Sequence, residues 1–412
     1  MSKTQSASRR RLLAGAGAFT ALSAARAFAA DLGSTAALGF AELPDGTLAG
    51  HVLFRLPGKL PLIKKTYRPP NFETPIEHFR TPITRNDAFF VRWHLAGIPE
   101  VKEAEWSLAV GGESAERELK LTLADLKRDF KPAEITAVCQ CSGNRRGLFE
   151  PHVAGVEWGV GAMGNAVWRG VRLKDILAKA GVKADALEVV LDGADRAPLE
   201  QTPDFVKSIP VEVAMDDNTL IAFEMNGEPL PHWNGFPARL VVPGWTGTYW
   251  VKQLVTVKVV SQAEKNFWMS TAYRLPRGRF KTPSFKSQLK EANEPITTMV
   301  VSSLITSHRN LQQLARGKPI EVKGIAFDGG SGIAKVEVST DGASWQPAAL
   351  GRDLGRYSFR EFSMRLPGRD RGSLVVMARA TANSGETQVE QLIHNPAGYH
   401  HNVIQRLYLE VV

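Results

Sequence analysis

Ala137-Val138-Cys139-Gln140-Cys141-Ser142-Gly143-Asn144-Arg145-Arg146 joins an apolar, strand-like run to a small polar turn and a pair of arginines. It also holds both cysteines of the chain, Cys139 and Cys141. Residues two apart on an extended segment point the same way but sit too far apart for a disulfide, which needs Cα atoms about 5.5 Å apart and converging Cβ vectors. At least one thiol is therefore free. Nearby cations favour the thiolate, the form that attacks electrophiles and binds metals. Small residues after it let a bulky group approach the backbone. Chemistry alone leaves four readings open: a redox thiol, a nucleophile, a soft metal ligand, or a buried structural cysteine beside a surface basic pair.

Outward from this stretch the chain divides. Between about Ala88 and Val260 strands alternate with short helices. Phe89-Phe90-Val91-Arg92-Trp93-His94 reads as a strand, as do Glu134 to Val138, Leu187 to Leu191 and Arg239 to Val242. Thr122 is a helix cap ahead of Leu123. Leu173-Lys174-Asp175-Ile176-Leu177 is amphipathic helix that ends near Gly181. The prolines of Leu43 to Pro82 argue for extended chain. The polar, basic stretch Arg277 to Pro295 reads as a boundary. Beyond it, Ile320 to Ala326, Ile333 to Ser339 and Ser373 to Ala380 alternate apolar and polar residues, with turns at Asp328-Gly329-Gly330 and Asp341-Gly342. The expectation is an α+β domain over residues 30–285, followed by an immunoglobulin-like β-sandwich over residues 296–412.

The chain has 412 residues and a formal net charge of +9, long enough for two domains. No dense Lys/Arg block interleaved with aromatics occurs after residue 30, which argues against a nucleic-acid partner. No apolar run reaches the roughly 18–20 residues that a membrane span needs. Arg9-Arg10-Arg11 before the apolar stretch Leu12 to Ala25, then Ala27-Phe28-Ala29, reads as a twin-arginine export signal over residues 1–29, and hence as periplasmic delivery of a folded protein. There is no Cys-x-x-Cys-His motif, so no covalent c-type haem is expected on this chain.

Cys141-Ser142-Gly143-Asn144-Arg145-Arg146 resembles the molybdenum-ligand motif of the sulfite oxidase family, in the pattern of its bacterial periplasmic sulfite dehydrogenases. Further blocks match in order: Phe89 to His94, Glu157 to Ala162, Trp168 to Leu177, Glu224 to Pro231, Gly235 to Gly244 and Gly330 to Ser339. The resemblance runs from about Phe89 to the C-terminus. It implies a molybdopterin-binding catalytic domain and a dimerisation-type sandwich. It implies Cys141 as the single protein ligand to molybdenum, with the other sulfurs from the pterin dithiolene, and Cys139 as a packing residue. Phe90, Val91, Arg92, Trp93, His94, Asp195, Asn234, Arg239, Trp250, Val251 and Lys252 are the implied cofactor contacts. Arg92, Arg146 and Tyr273, with Cys141, are the implied catalytic set, two arginines capturing an anion beside a phenol. The implied reaction is oxidation of sulfite to sulfate, with electrons passed one at a time to a separate c-type cytochrome. The implied assembly is a homodimer or a heterodimer with that cytochrome. The chain departs from the family at Trp233-Asn234, where a histidine is common, and at Ala397, where an arginine is expected. Other oxotransferases of the fold, acting on nitrate or a sulfoxide, and a metal-free binding protein are the rival readings.

Overall fold

The computed structural model describes residues 52–412 and the two-residue strand Ala36–Ala37. The export segment expected over residues 1–29 lies outside the described residues. The Pro-rich approach forms an antiparallel five-stranded sheet, in the order Ala36–Ala37, Val52–Arg55, Pro61–Thr66, Asn71–Glu73, Val91–Arg92. The strand expected over Phe89 to His94 is shorter than its sequence suggests. Its ladder partner, Asn71–Glu73, is only 3 residues long, so just Val91 and Arg92 pair.

A second sheet runs Val206–Pro210, Glu188–Gly193, Leu254–Val260, Leu108–Gly111, Leu119–Leu121, with only the Leu254–Val260 and Leu108–Gly111 pair parallel. A third joins Pro132–Gln140, Met163–Arg172, Leu220–Met225 and Glu228–Pro229, and Arg239–Val241 also pairs with Leu220–Met225. Helix Leu123–Asp129 starts on a capping box: Thr122 Oγ1 accepts from the Asp125 amide, and the Asp125 carboxylate accepts from the Thr122 amide. Helix Leu173–Ala180 buries Leu173, Ile176, Leu177 and Ala180, one face at helical spacing. Gly181, at φ +77°, ends it in a conformation that costs glycine nothing.

The C-terminal part is β-rich. One sheet runs Ser302–Ile305, Ile320–Phe327, Arg360–Leu366, Ala349–Leu350; the other runs Gln312–Leu314, Gln405–Val411, Gly372–Ala382, Ile333–Ser339, Gln346–Pro347. Both sheets feed one apolar core, with Val322 and Phe362 from the first and Val336, Val376 and Leu407 from the second. The chain is thus α+β with a separate β-rich C-terminal domain.

The two parts share a third cluster, in which Phe79, Val138, Val160 and Met163 pack against Met299, Phe327 and Phe359. The Val138 amide donates to the Tyr357 carbonyl at 2.9 Å, and Asn165 Nδ2 donates to Ser358 Oγ at 2.8 Å. Burying a side chain of this size contributes roughly 1.5–3 kcal/mol, so the junction is a core, not a loose surface contact. No described helix is long and apolar enough to cross a membrane.

Candidate active site

Strand Pro132–Gln140 delivers the cysteines. Side chains alternate along it. Val138 enters the cluster shared with the C-terminal domain, while Cys139 and Cys141 enter the main core on the other side. Past the strand the backbone is locked. The Cys141 amide donates to the Ala162 carbonyl at 2.9 Å, and the Asn144 amide donates back to the Cys141 carbonyl at 2.9 Å. Asn144 Oδ1 accepts from the Ala162 amide at 3.0 Å. A side-chain carbon at Gly143 would overlap the Arg146 guanidinium, so a larger residue there would displace that group.

Cys141 and Cys139 are both free and both line a cleft of about 660 Å³, its open mouth included. Phe90, Arg92 and His94 line it as well. Val91 and Trp93 do not: their side chains turn away and join Leu56, Leu62 and Phe72 in a separate cluster. The period of two turns these two side chains away from the cavity. Asp195, Asn234, Arg239, Trp250, Val251, Lys252 and Tyr273 complete the expected lining.

Arg92 Nη2 donates to the Tyr273 hydroxyl at 3.3 Å, and the same hydroxyl bonds His94 Nε2. Burial is the largest influence on the Arg92 guanidinium and opposes its charge, but Tyr273 and Cys141 outweigh it and raise its pKa. Burial pushes the His94 pKa well below its ordinary value, helped by Arg92, Lys252 and Lys207, so the imidazole is neutral. A guanidinium only donates. The Tyr273 oxygen therefore accepts from Arg92, and its proton is free to go to His94. Burial, the largest cause, raises the Tyr273 pKa, with Arg92 opposing, so the phenol keeps its proton. Tyr273 sits at φ +58°, a conformation rare for an aromatic residue. It is held there by the bond from the Ile296 amide to its carbonyl, at 2.9 Å, and by a stacked Tyr399 ring.

The other end of the cavity is cationic. Arg239 lies between Trp168 and Trp250, at 5.1 and 5.7 Å from the ring centroids, and donates to the Asn234 and Trp250 carbonyls, both at 2.9 Å. Its Nη2 is also 4.0 Å from Cys139 Sγ. Lys252 Nζ donates to the Arg92 carbonyl at 2.9 Å. Burial first, then Arg239, lowers its pKa to about 7. Burial raises the Asp195 pKa, with Lys252 opposing.

Two expected residues stand differently. Asn234 lines the cavity, but its amide is already engaged: Oδ1 accepts from Lys59 Nζ at 2.6 Å and Nδ2 donates to the Phe90 carbonyl at 3.1 Å. It braces the wall. Arg146 is not among the cavity-lining residues. Its Nε donates to the Ala397 carbonyl at 2.9 Å, its Nη1 to the Val156 carbonyl at 3.2 Å, and it lies over the Tyr399 ring at 5.1 Å. With alanine at 397, that carbonyl and Tyr399 occupy the space beside Arg146.

Sequence reading missed Phe205, Ser142 and Thr248 in the lining, and Tyr399 and Lys207 behind it. The Phe205 ring stacks on His94 at 3.6 Å. Lys207 is 1% exposed, donates to the Trp268 carbonyl at 2.7 Å and lies over the Tyr249 and Tyr273 rings. Two of these had a signal: Ser142, in the small polar turn after Cys141, and Tyr399, in the stretch searched for an arginine.

The donor set fits a metal held through an organic group. Among the described residues no three His, Cys, Asp or Glu side chains cluster as a metal site, which accords with the single protein ligand, Cys141, and the pterin dithiolene that the resemblance implies. The Ser142 hydroxyl lines the cavity, buried and without a partner among the described residues, and such an atom calls for a polar ligand. Arg239 and Lys252 suit a phosphate.

Comparisons with known proteins agree. Residues 94–268 match the oxidoreductase molybdopterin binding domain model, and residues 293–411 match the Mo-co oxidoreductase dimerisation domain model. The chain is 36% identical to the mitochondrial sulfite oxidase of Homo sapiens over 76% of this chain and 58% of that protein. It therefore spans little more than half of that relative's length. It is 32% identical to the sulfite oxidase of Arabidopsis thaliana over 74% of this chain and 80% of that one. Among solved structures, the sulfane dehydrogenase SoxCD of Paracoccus pantotrophus superposes with a TM-score of 0.71 and 27% identity, covering 83% of this chain and 85% of that one. By its sequence, its fold and the construction of its cavity, the chain belongs to the sulfite oxidase family of molybdopterin-binding oxidoreductases.

Proposed function

We propose that the protein is a sulfite dehydrogenase, exported through the twin-arginine route to the periplasm, that passes electrons to a separate c-type cytochrome. The overall change is sulfite plus water to sulfate, two protons and two electrons. The observation that carries this reading is the meeting, in one buried cavity, of the Cys141 thiol, the Arg92 guanidinium and the Tyr273 hydroxyl. When bound, a molybdenum–molybdopterin group supplies oxygen-atom transfer and accepts the electron pair.

The residues supply the rest. Cys141 is the protein's ligand to that group, and Arg239, Lys252 and Asp195 hold its pterin end. Arg92 meets the oxyanion with fixed charge in a place where water does not screen it. Tyr273 is positioned between Arg92 and His94 so that its hydroxyl both accepts and donates. The neutral His94 ring accepts a hydrogen bond from the phenol and adds no charge to the pocket. Residues 30–285 form the catalytic domain in this reading, and residues 296–412 an immunoglobulin-like sandwich used in a homodimer or a cytochrome heterodimer.

A second substrate class has one observation in its favour. Arg146 is spent on the Ala397 and Val156 carbonyls, which leaves Arg92 as the arginine nearest Cys141 in a pocket less cationic than an anion-capturing triad. Together with the likeness to a sulfane dehydrogenase, this supports a sulfur compound of lower charge, such as a sulfane sulfur. Purified protein should contain molybdenum and reduce cytochrome c when sulfite is added. A molybdenum-loaded protein inert to sulfite but active on a persulfide would transfer the assignment to the second class, and a protein without molybdenum would end both.

A further inference from the structure

Arg145 points away from the cavity that holds Cys141. Its residue is 3% exposed. Its Nη2 donates to the Ser303 carbonyl at 2.8 Å, and its Nε has no partner among the described residues. Burial alone lowers its pKa, to about 10, so it is still charged at neutral pH. Among the described residues no acidic side chain forms an ion pair with it. A buried cation without a counter-charge is costly, and proteins rarely leave one so.

The guanidinium borders a second cavity, of about 790 Å³, between the two domains. His401, Gln405, Arg406 and Tyr408 line it too, and no carboxylate does. Gln405 Oε1 is fixed by the Ile305 amide at 2.8 Å, which leaves Nε2 buried and unpartnered. His401 Nδ1 is buried and unpartnered as well. Unpartnered nitrogen atoms of the cysteine loop, of His401 and of the strand Gln405–Val411 thus border one cavity.

We propose that this interdomain cavity binds a free inorganic oxyanion, of the sulfate or phosphate class, held by Arg145, Gln405, His401 and Arg406. An ion with several acceptor oxygens satisfies spread-out donors, where a single acceptor cannot. Such an ion neutralises Arg145 and ties the cysteine loop to the C-terminal domain. The site is independent of which sulfur compound the enzyme oxidises.

Crystals of the full chain soaked in selenate test this by anomalous scattering. The expected result is a selenium peak beside Arg145. A cavity holding only water, or filled by an acidic side chain from a second copy, overturns the proposal. Gln405→Glu gives a second reading. It keeps the acceptor for the Ile305 amide but places a carboxylate in the cavity that Arg145 borders. The expected result is the loss of the selenate peak and sulfate binding at this site weakened roughly tenfold or more. An unchanged peak in Gln405→Glu would also sink the assignment.

Discussion

The rings of Tyr273 and Tyr399 lie nearly parallel, with centroids 5.6 Å apart and planes 14° apart. One ends the catalytic part of the chain and the other belongs to the C-terminal part, so the pocket is finished by both. Arg146 rests on the Tyr399 ring at 5.1 Å. Tyr399→Ala should therefore release Arg146 and loosen Tyr273 together. Steady-state kinetics on sulfite should show KM raised on the order of tenfold, since an aromatic contact and a cation–π contact are lost at once. Tyr399→Phe should leave KM nearly unchanged.

Cys141→Ser should abolish turnover while the chain still folds, because the thiol's neighbours are held by backbone bonds that the substitution leaves intact. Sulfite-dependent cytochrome c reduction beside a thermal melt checks both halves. Turnover retained near the wild-type level would refute the ligand role.

Tyr273→Phe removes the oxygen shared by Arg92 and His94 and keeps the ring stack. Loss of one positioned donor costs on the order of 100-fold in kcat in comparable sites. Turnover should fall by roughly that factor with molybdenum content unchanged. A variant with wild-type kcat would show that the phenol acts only as packing.

Arg92→Gln should act on capture rather than on folding. Charge-assisted hydrogen bonds contribute roughly 1.5–3 kcal/mol, so kcat/KM for sulfite should drop about 10- to 100-fold. The salt dependence of kcat/KM should flatten in the same variant.

The cofactor-free chain should grow more stable as pH rises from about 7 toward 10. Burial lowers Lys59 and Lys252 from 10.5 to about 7 in the folded state. Across that window the unfolded chain holds protons that the folded chain has released, so raising pH favours folding; below about 7 the burial penalty is full. Thermal melts across this range measure the slope. Lys59→Met should flatten it, though it also lowers stability by leaving the Asn86 and Phe89 carbonyls without their donor.

Much of this site was legible in the chain. The Cys141 turn, the helix caps at Thr122 and Gly181 and the alternating strands after residue 320 are local patterns, and local patterns survive folding. What was not legible depended on partners far away in sequence. Phe89 to His94 reads as one strand, but its ladder length was set by Asn71–Glu73, while the alternation of its side chains is why Arg92 and His94 face the cavity and Val91 and Trp93 do not. Arg146 has the spacing of a pocket residue, yet carbonyls at Val156 and Ala397 claim it. Asn234 is a plausible ligand contact in sequence and a braced wall in the structure, because Lys59 lies 175 residues away and meets it.

The strand that delivers Cys141 rests on Met299, Phe327 and Phe359, residues that leave the ribosome long after it. Until they arrive, Val138 has only Phe79, Val160, Met163 and their neighbours in the catalytic part to pack against. The strand that carries the thiol is therefore fully packed only once the far end of the chain is in place.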